Sequence, residues 1–151
     1  MGQKSELSKK NNIIFASVAL IMVIILGVIF IPQFLSEDDP IIEYTDIRVE
    51  VAYNMINQTD TFPTLLILDV RSQGEYDSGH LNNSVLIPVD ELENHLDEIA
   101  EYNSTEIIVY CASGGRSVTA SNILVSNEFS LVYNMLGGIT AWIEEGYPTV
   151  V

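Results

Sequence analysis

The sequence predicts an α/β domain, a parallel sheet covered by helices on both faces, preceded by one membrane-spanning helix. Three observations carry this reading. No charged residue occurs from Ile13 to Leu35. Beyond that run, short continuous apolar segments alternate with segments of helical periodicity, the pattern of a sheet buried on both faces. One of those apolar segments ends at the only cysteine, Cys111, and a glycine-rich turn follows.

The uncharged run is long enough to span a membrane, because a helix rising ~1.5 Å per residue crosses a ~30 Å hydrocarbon core in about 20 residues. A buried soluble helix would show a polar face, and this one shows none. A cleaved signal peptide would end in a small-x-small site, which Ile31-Pro32-Gln33-Phe34-Leu35 does not offer. Glu6 breaks the myristoylation pattern that Gly2 would open. Lys4, Lys9 and Lys10 precede the run, while Glu37, Asp38 and Asp39 follow it. The positive-inside rule then makes residues 1–12 a cytoplasmic tail and residues 13–35 a signal-anchor in the cell membrane, with the C-terminal part outside. Residues 36–43, which include the polar Ser36-Glu37-Asp38-Asp39-Pro40, form a linker, and residues 44–151 form the folded domain.

Composition narrows the function classes. The chain has 151 residues, a net charge of −15 and 48% apolar residues. After Leu35 there are 20 acids against three bases, Arg48, Arg71 and Arg116. Nucleic-acid binding needs clustered Lys and Arg, so it is excluded. Recurring apolar runs argue against disorder, and a single cysteine excludes a disulfide scaffold.

Residues 48–57 predict the first helix of the domain, with Val49, Ala52 and Ile56 on one face. Leu65-Leu66-Ile67-Leu68 and Ile107-Ile108-Val109-Tyr110 predict buried strands, and Val85-Leu86-Ile87 and Leu131-Val132-Tyr133 weaker ones. Leu92, Leu96 and Ile99 predict a helix capped by Asp90. Ala120, Ile123 and Leu124 predict another after Cys111. Ile139, Trp142 and Ile143 mark a last helix, opened by Gly137-Gly138 and closed by Gly146. In such folds ligands sit at the carboxyl ends of the strands, where Cys111 falls.

The segment Tyr110-Cys111-Ala112-Ser113-Gly114-Gly115-Arg116-Ser117 joins a strand to a helix. Glycines there let successive N–H groups converge on one point, and the following helix adds partial positive charge. Arg116 adds a full charge, so the loop should lower the thiol pKa and hold an anion. The residues leave two readings open: a reactive thiolate, or a structural cysteine buried at a strand end. His80 and His95 are the only histidines, and no His, Cys and carboxylate cluster has metal spacing, so no metal or cofactor is expected. Asn57-Gln58-Thr59, Asn82-Asn83-Ser84 and Asn103-Ser104-Thr105 fit the glycosylation pattern.

Four stretches together resemble the rhodanese (sulfurtransferase) homology domain. They are Leu68-Asp69-Val70-Arg71 with Glu75-Tyr76-Asp77-Ser78-Gly79-His80-Leu81; Leu86-Ile87-Pro88 after Asn83-Ser84; the loop from Cys111 to Ser117; and Leu136-Gly137-Gly138-Ile139-Thr140-Ala141-Trp142 with Gly146-Tyr147-Pro148. The resemblance implies a three-layer sandwich with a five-stranded parallel sheet. It implies a sulfurtransferase that moves a sulfane sulfur through a Cys111 persulfide. Arg116 would share the catalytic role, and Ala112, Ser113, Gly114, Gly115 and Arg116 would cradle the substrate. Asp69, Arg71, Glu75 and His80 would brace the loop, and Trp142 would pack near the last helix. The implied partners are thiosulfate or a persulfide as donor and a thiol or cyanide-like acceptor. The membrane, reached through residues 13–35, is a further partner, and nucleic acid is not. Four residues separate Cys111 from Arg116, whereas the related dual-specificity phosphatases have five, so the shorter loop favours sulfur over phosphoryl transfer. Ala112 stands where many sulfurtransferases carry a basic residue, which keeps a catalytically weak binding module at the membrane surface as the alternative.

Overall fold

The computed structural model describes residues 43–151. The predicted tail 1–12, the anchor 13–35 and all but the last residue of the linker 36–43 lie outside the described residues. Among the described residues no helix is long and apolar enough to cross a membrane.

The domain opens with β1 (Thr45–Ile47) and α1 (Val49–Asn57). Next come β2 (Leu66–Asp69), the short α2 (Gln73–Asp77) and β3 (Val85–Leu86). Two 3₁₀ helices, Leu92–Asn94 and Leu96–Tyr102, lead into β4 (Glu106–Tyr110). The chain ends with α3 (Gly115–Ser126), β5 (Leu131–Met135) and α4 (Gly138–Glu144). The five strands are all parallel, in the order β1-β5-β4-β2-β3. β4, the strand that delivers Cys111, lies in the middle and pairs with β2 and β5.

The sheet is buried on both faces because its strand residues alternate between two cores. Leu66, Leu68, Ile107, Val109 and Cys111 face Leu92, Ile99, Ala120 and Leu124 from the 3₁₀ segment and α3. Ile67, Ile108 and Tyr110 face Ala52, Met55, Ile139 and Trp142 from α1 and α4. This period of two explains why the central strands read as continuous apolar runs. The three layers and five parallel strands agree with the expected sandwich.

Two local expectations are corrected. The segment after Asp90 is not one α-helix: Leu92 and Ile99 are buried as expected, but they sit in separate 3₁₀ helices, and Asp90 caps neither. His95 lies at the break between them, with its backbone N–H bonded to the Leu92 carbonyl and its ring nitrogen 2.7 Å from Glu98. In α4, Ile139 and Trp142 are buried, whereas Ile143 points to solvent. Trp142 does pack as expected, with its Nε1 donating to the Pro148 carbonyl at 2.9 Å. Asn57, Asn82 and Asn103 of the three glycosylation patterns are all exposed.

Candidate active site

Cys111 follows the last residue of β4 directly, and α3 begins four residues later at Gly115. The turn between them depends on Gly114, whose φ of 109° lies in the region that only glycine adopts without strain. That conformation aims the Gly114 N–H at the Cys111 Sγ, 3.1 Å away. Burial pushes the thiol pKa up, but N–H groups of Ser117, Gly114 and Ser113 and the Ser117 hydroxyl outweigh it and hold the thiol below its ordinary value. Cys111 is 1% exposed, so these dipoles act in a largely dry setting.

Ser117 completes the sulfur's surroundings. Its Oγ lies 3.7 Å from Sγ and donates to the Gly114 carbonyl at 2.9 Å. A hydroxyl can accept from the neutral thiol or turn and donate to the thiolate, so this fully buried side chain serves both states. The carbonyls of Cys111 and Ala112 are occupied on the other side by α4, through the N–H groups of Ile139 at 2.9 Å and Thr140 at 3.0 Å. Ala112 and Gly114 are half-buried, and Ser113 and Gly115 are exposed, so the loop opens to solvent at its tip.

Arg116 does not point its guanidinium freely at the sulfur. Its Nη1 and Nη2 donate to Oε2 and Oε1 of Glu75 at 2.8 and 2.6 Å, a two-point pair between α3 and α2. The groups that lower the thiol pKa are the loop N–H groups and the Ser117 hydroxyl, while Arg116 is matched by Glu75. Its charge still feels the thiolate, since Glu75 foremost and Cys111 to a lesser degree raise the Arg116 pKa. Glu75 Oε2 also receives the Ser72 N–H at 3.1 Å and the Ser72 hydroxyl at 2.7 Å. Arg116 and Ser72 together hold the Glu75 carboxyl far below the usual carboxylate range.

The remaining predicted residues form a brace at the end of β2. Asp69 and Arg71 are buried and joined by three side-chain contacts of 2.6 to 2.9 Å, plus the Arg71 N–H to Asp69 Oδ1 at 2.9 Å. Arg71 Nη2 also reaches the Gly79 carbonyl at 2.8 Å. The bonds from the Arg71 N–H and to the Gly79 carbonyl offset part of the cost of burying the pair. His80 takes no part at the sulfur. Its ring stacks on Tyr76 at 3.7 Å, Nδ1 donates to the Tyr76 carbonyl at 3.0 Å, and its backbone pairs with Val150. Among the described residues no group of His, Cys, Asp and Glu could hold a metal ion.

Sequence reasoning missed a second network beneath the site. Tyr110 OH accepts from the Leu81 N–H at 3.1 Å and donates to Ser84 Oγ at 3.1 Å, while Tyr76 OH donates to the Ser84 carbonyl at 2.7 Å. Burial pushes the Tyr110 phenol far above its ordinary pKa, so it remains a neutral donor. Nothing in the local spacing of these residues signals the contact. The arrangement as a whole can hold a thiolate and a small group bonded to it, ringed by amide donors.

Comparison with known proteins agrees with this geometry. The curated tRNA uridine(34) hydroxylase of Photorhabdus laumondii is 33% identical over 101 residues, 62% of this chain and 29% of that protein. That of Cronobacter sakazakii is 29% identical over 119 residues, 74% of this chain and 34% of that protein. The chain thus spans about a third of the length of the curated relatives it matches. Among solved structures, a rhodanese-related protein from Thermoplasma volcanium is 34% identical, with a TM-score of 0.61 over 71% of this chain and 98% of that one. A rhodanese-like domain protein from Staphylococcus aureus is 26% identical, with a TM-score of 0.55 over 65% of this chain and 90% of that one. A family model described as "Rhodanese-like domain" matches residues 48–145, from the start of α1 through α4, and with the parallel sheet and the cysteine loop it shows that the chain belongs to the rhodanese-like domain family.

Proposed function

We propose that this protein is a sulfurtransferase that carries a sulfane sulfur as a persulfide on Cys111, tethered to the cell membrane through residues 13–35 with its domain outside the cytoplasm. The observation that carries the reading is the Gly114 N–H at 3.1 Å from Cys111 Sγ, within a loop that lowers the thiol pKa despite full burial. A thiolate attacks a sulfane sulfur, and the same amides then face the terminal sulfur of the persulfide formed. Arg116 and Glu75 hold α3 against α2, so the loop keeps its shape while the sulfur changes its bonding. The tether is supported by the uncharged run and the lysines before it.

A tRNA substrate, which the curated relatives' name suggests, is disfavoured. The 20 acids and three bases after Leu35 would repel a polyanion. A binding module without turnover is the second reading, favoured by the 1% exposure of Cys111 and by Ala112 after it. One experiment separates them. The protein is incubated with a sulfur donor and desalted, and cyanide-labile sulfur is measured with the mass of the Cys111 peptide. Sulfurtransfer requires one added sulfur on Cys111 in the wild type and none in Cys111→Ser. An unmodified wild-type peptide after exposure to several donor classes would overturn it.

A further inference from the structure

All three arginines of the described residues are paired with carboxylates. Arg48 lies 3.8 Å from Glu50 at the surface, Arg71 is buried against Asp69, and Arg116 is held by Glu75. No lysine occurs after Lys10. Ala112, next to the nucleophile, adds no charge. The sulfur is therefore surrounded by amide dipoles but by no cation free of a counter-ion. The Glu75 carboxylate stays charged throughout the neutral range, so Arg116 remains matched.

On the sulfur-transfer reading above, we propose that the donor is the persulfide of a thiol, R–S–SH, rather than thiosulfate, and that Glu75 sets this preference by occupying the Arg116 guanidinium. With thiosulfate, the thiolate and the dianion bring three negative charges together. Sγ bonds to the sulfane sulfur, the S–S bond of the donor breaks, and its electron pair leaves on sulfite, itself a dianion. A cation at the leaving oxygens is what such a step needs, and here both terminal nitrogens of Arg116 are bonded to Glu75. With the protonated form of R–S–SH, the thiolate carries the one negative charge on the reacting sulfurs. Sγ bonds to the terminal sulfur, which keeps its proton, and the electron pair of the broken S–S bond leaves on R–S⁻. One negative charge is present before and after, and amide donors suffice to hold it.

The surrounding field acts in the same direction. A dianion must approach a domain with many more acids than bases, and salt screens that repulsion over a Debye length of about 10 Å at 0.1 M.

The test uses the full chain in detergent and reads second-order rates of Cys111 persulfidation by peptide mass. Glutathione persulfide and thiosulfate are the two probes. Glutathione persulfide should load the wild type at least about tenfold faster, the lower end of what a charged cleft does to encounter rates. Added salt should raise the thiosulfate rate. Glu75→Gln keeps an acceptor for the Ser72 N–H but frees Arg116, and should raise the thiosulfate rate by about tenfold relative to the persulfide rate. Ala112→Arg leaves the Glu75 brace intact and should shift the ratio in the same direction, which keeps the test sound if Glu75→Gln folds poorly. Equal or faster loading by thiosulfate in the wild type would overturn the donor preference and leave sulfur transfer standing. An unchanged ratio in both variants would remove Glu75 as its cause. Failure of both probes to load Cys111 would overturn the sulfur-transfer reading itself, and the preference with it.

Discussion

Gly138 sits directly against the backbone of Cys111. A β-carbon at Gly138 would collide with the carbonyl oxygens of Cys111 and Ala112, and its φ of 57° is left-handed. The next residue, Ile139, donates its N–H to the Cys111 carbonyl at 2.9 Å. The last helix is therefore keyed to the peptide unit of Cys111 itself.

Gly138→Ala should disturb the thiol from the far side of the loop. Left-handed strain in a non-glycine residue costs about 1–3 kcal/mol, and the backbone collision adds to it. We expect a loss of at least about 2 kcal/mol in chemical denaturation, with a rise in the Cys111 pKa. Wild-type stability together with an unshifted thiol would contradict this close packing.

The alkylation rate of Cys111, followed against pH, should show a midpoint below the free-thiol value of about 8.5. Ser117→Ala should move that midpoint upward without restoring it fully, because the N–H groups of Ser117, Gly114 and Ser113 remain. A wild-type midpoint at or above the free value would end the case for a reactive thiolate.

Glu75 should make the domain sensitive to acid. Its folded pKa is depressed, so its contribution is complete above the unfolded pKa of about 4.3 and declines as pH falls from there toward the folded value. The pair is more than a third exposed, with side-chain exposures of 38% and 37%, so solvent screening holds the effect to about 1 kcal/mol or less. Denaturation of wild type and Glu75→Gln at several pH values isolates the difference. The gap between them should narrow below about pH 4. A constant gap from pH 7 to pH 2 would mean that the ion pair does not contribute.

The orientation of the proposed tether has its own test. Protease added to intact cells should remove the domain beyond about residue 36 and leave the predicted anchor in the membrane. Protection until lysis would place the domain on the cytoplasmic side.

Much of the fold was legible because burial on both faces writes continuous apolar runs, as in Ile107-Ile108-Val109-Tyr110, and burial on one face writes helical spacing, as in Ala120 and Leu124. The short α2 was not legible: it has no buried residue and five residues in all, so it leaves no periodic trace. The 3₁₀ segment misled because Leu92 and Ile99 are spaced for a helix face while the chain breaks at His95 between them. At the site, Cys111 and its glycines could be read from one local segment. The Glu75 and Arg116 pair spans 41 positions, and the reach of Tyr110 to Ser84 spans 26, so only the folded chain brings them together. Arg116 was recognisable as a loop cation and Glu75 as a brace through the family resemblance, but not that the two pair with each other.

The sheet ends on both sides in very little strand. β1 contributes three residues at one edge and β3 two at the other, against five each in β4 and β5. An unpaired edge is a template on which a second chain can add its own strand, and its hazard grows with its length. Edges this short offer an incoming strand few hydrogen bonds, and the acid-rich composition keeps neighbouring copies apart. The domain is thereby suited to crowding at high local density without recruiting its neighbours into fibrils.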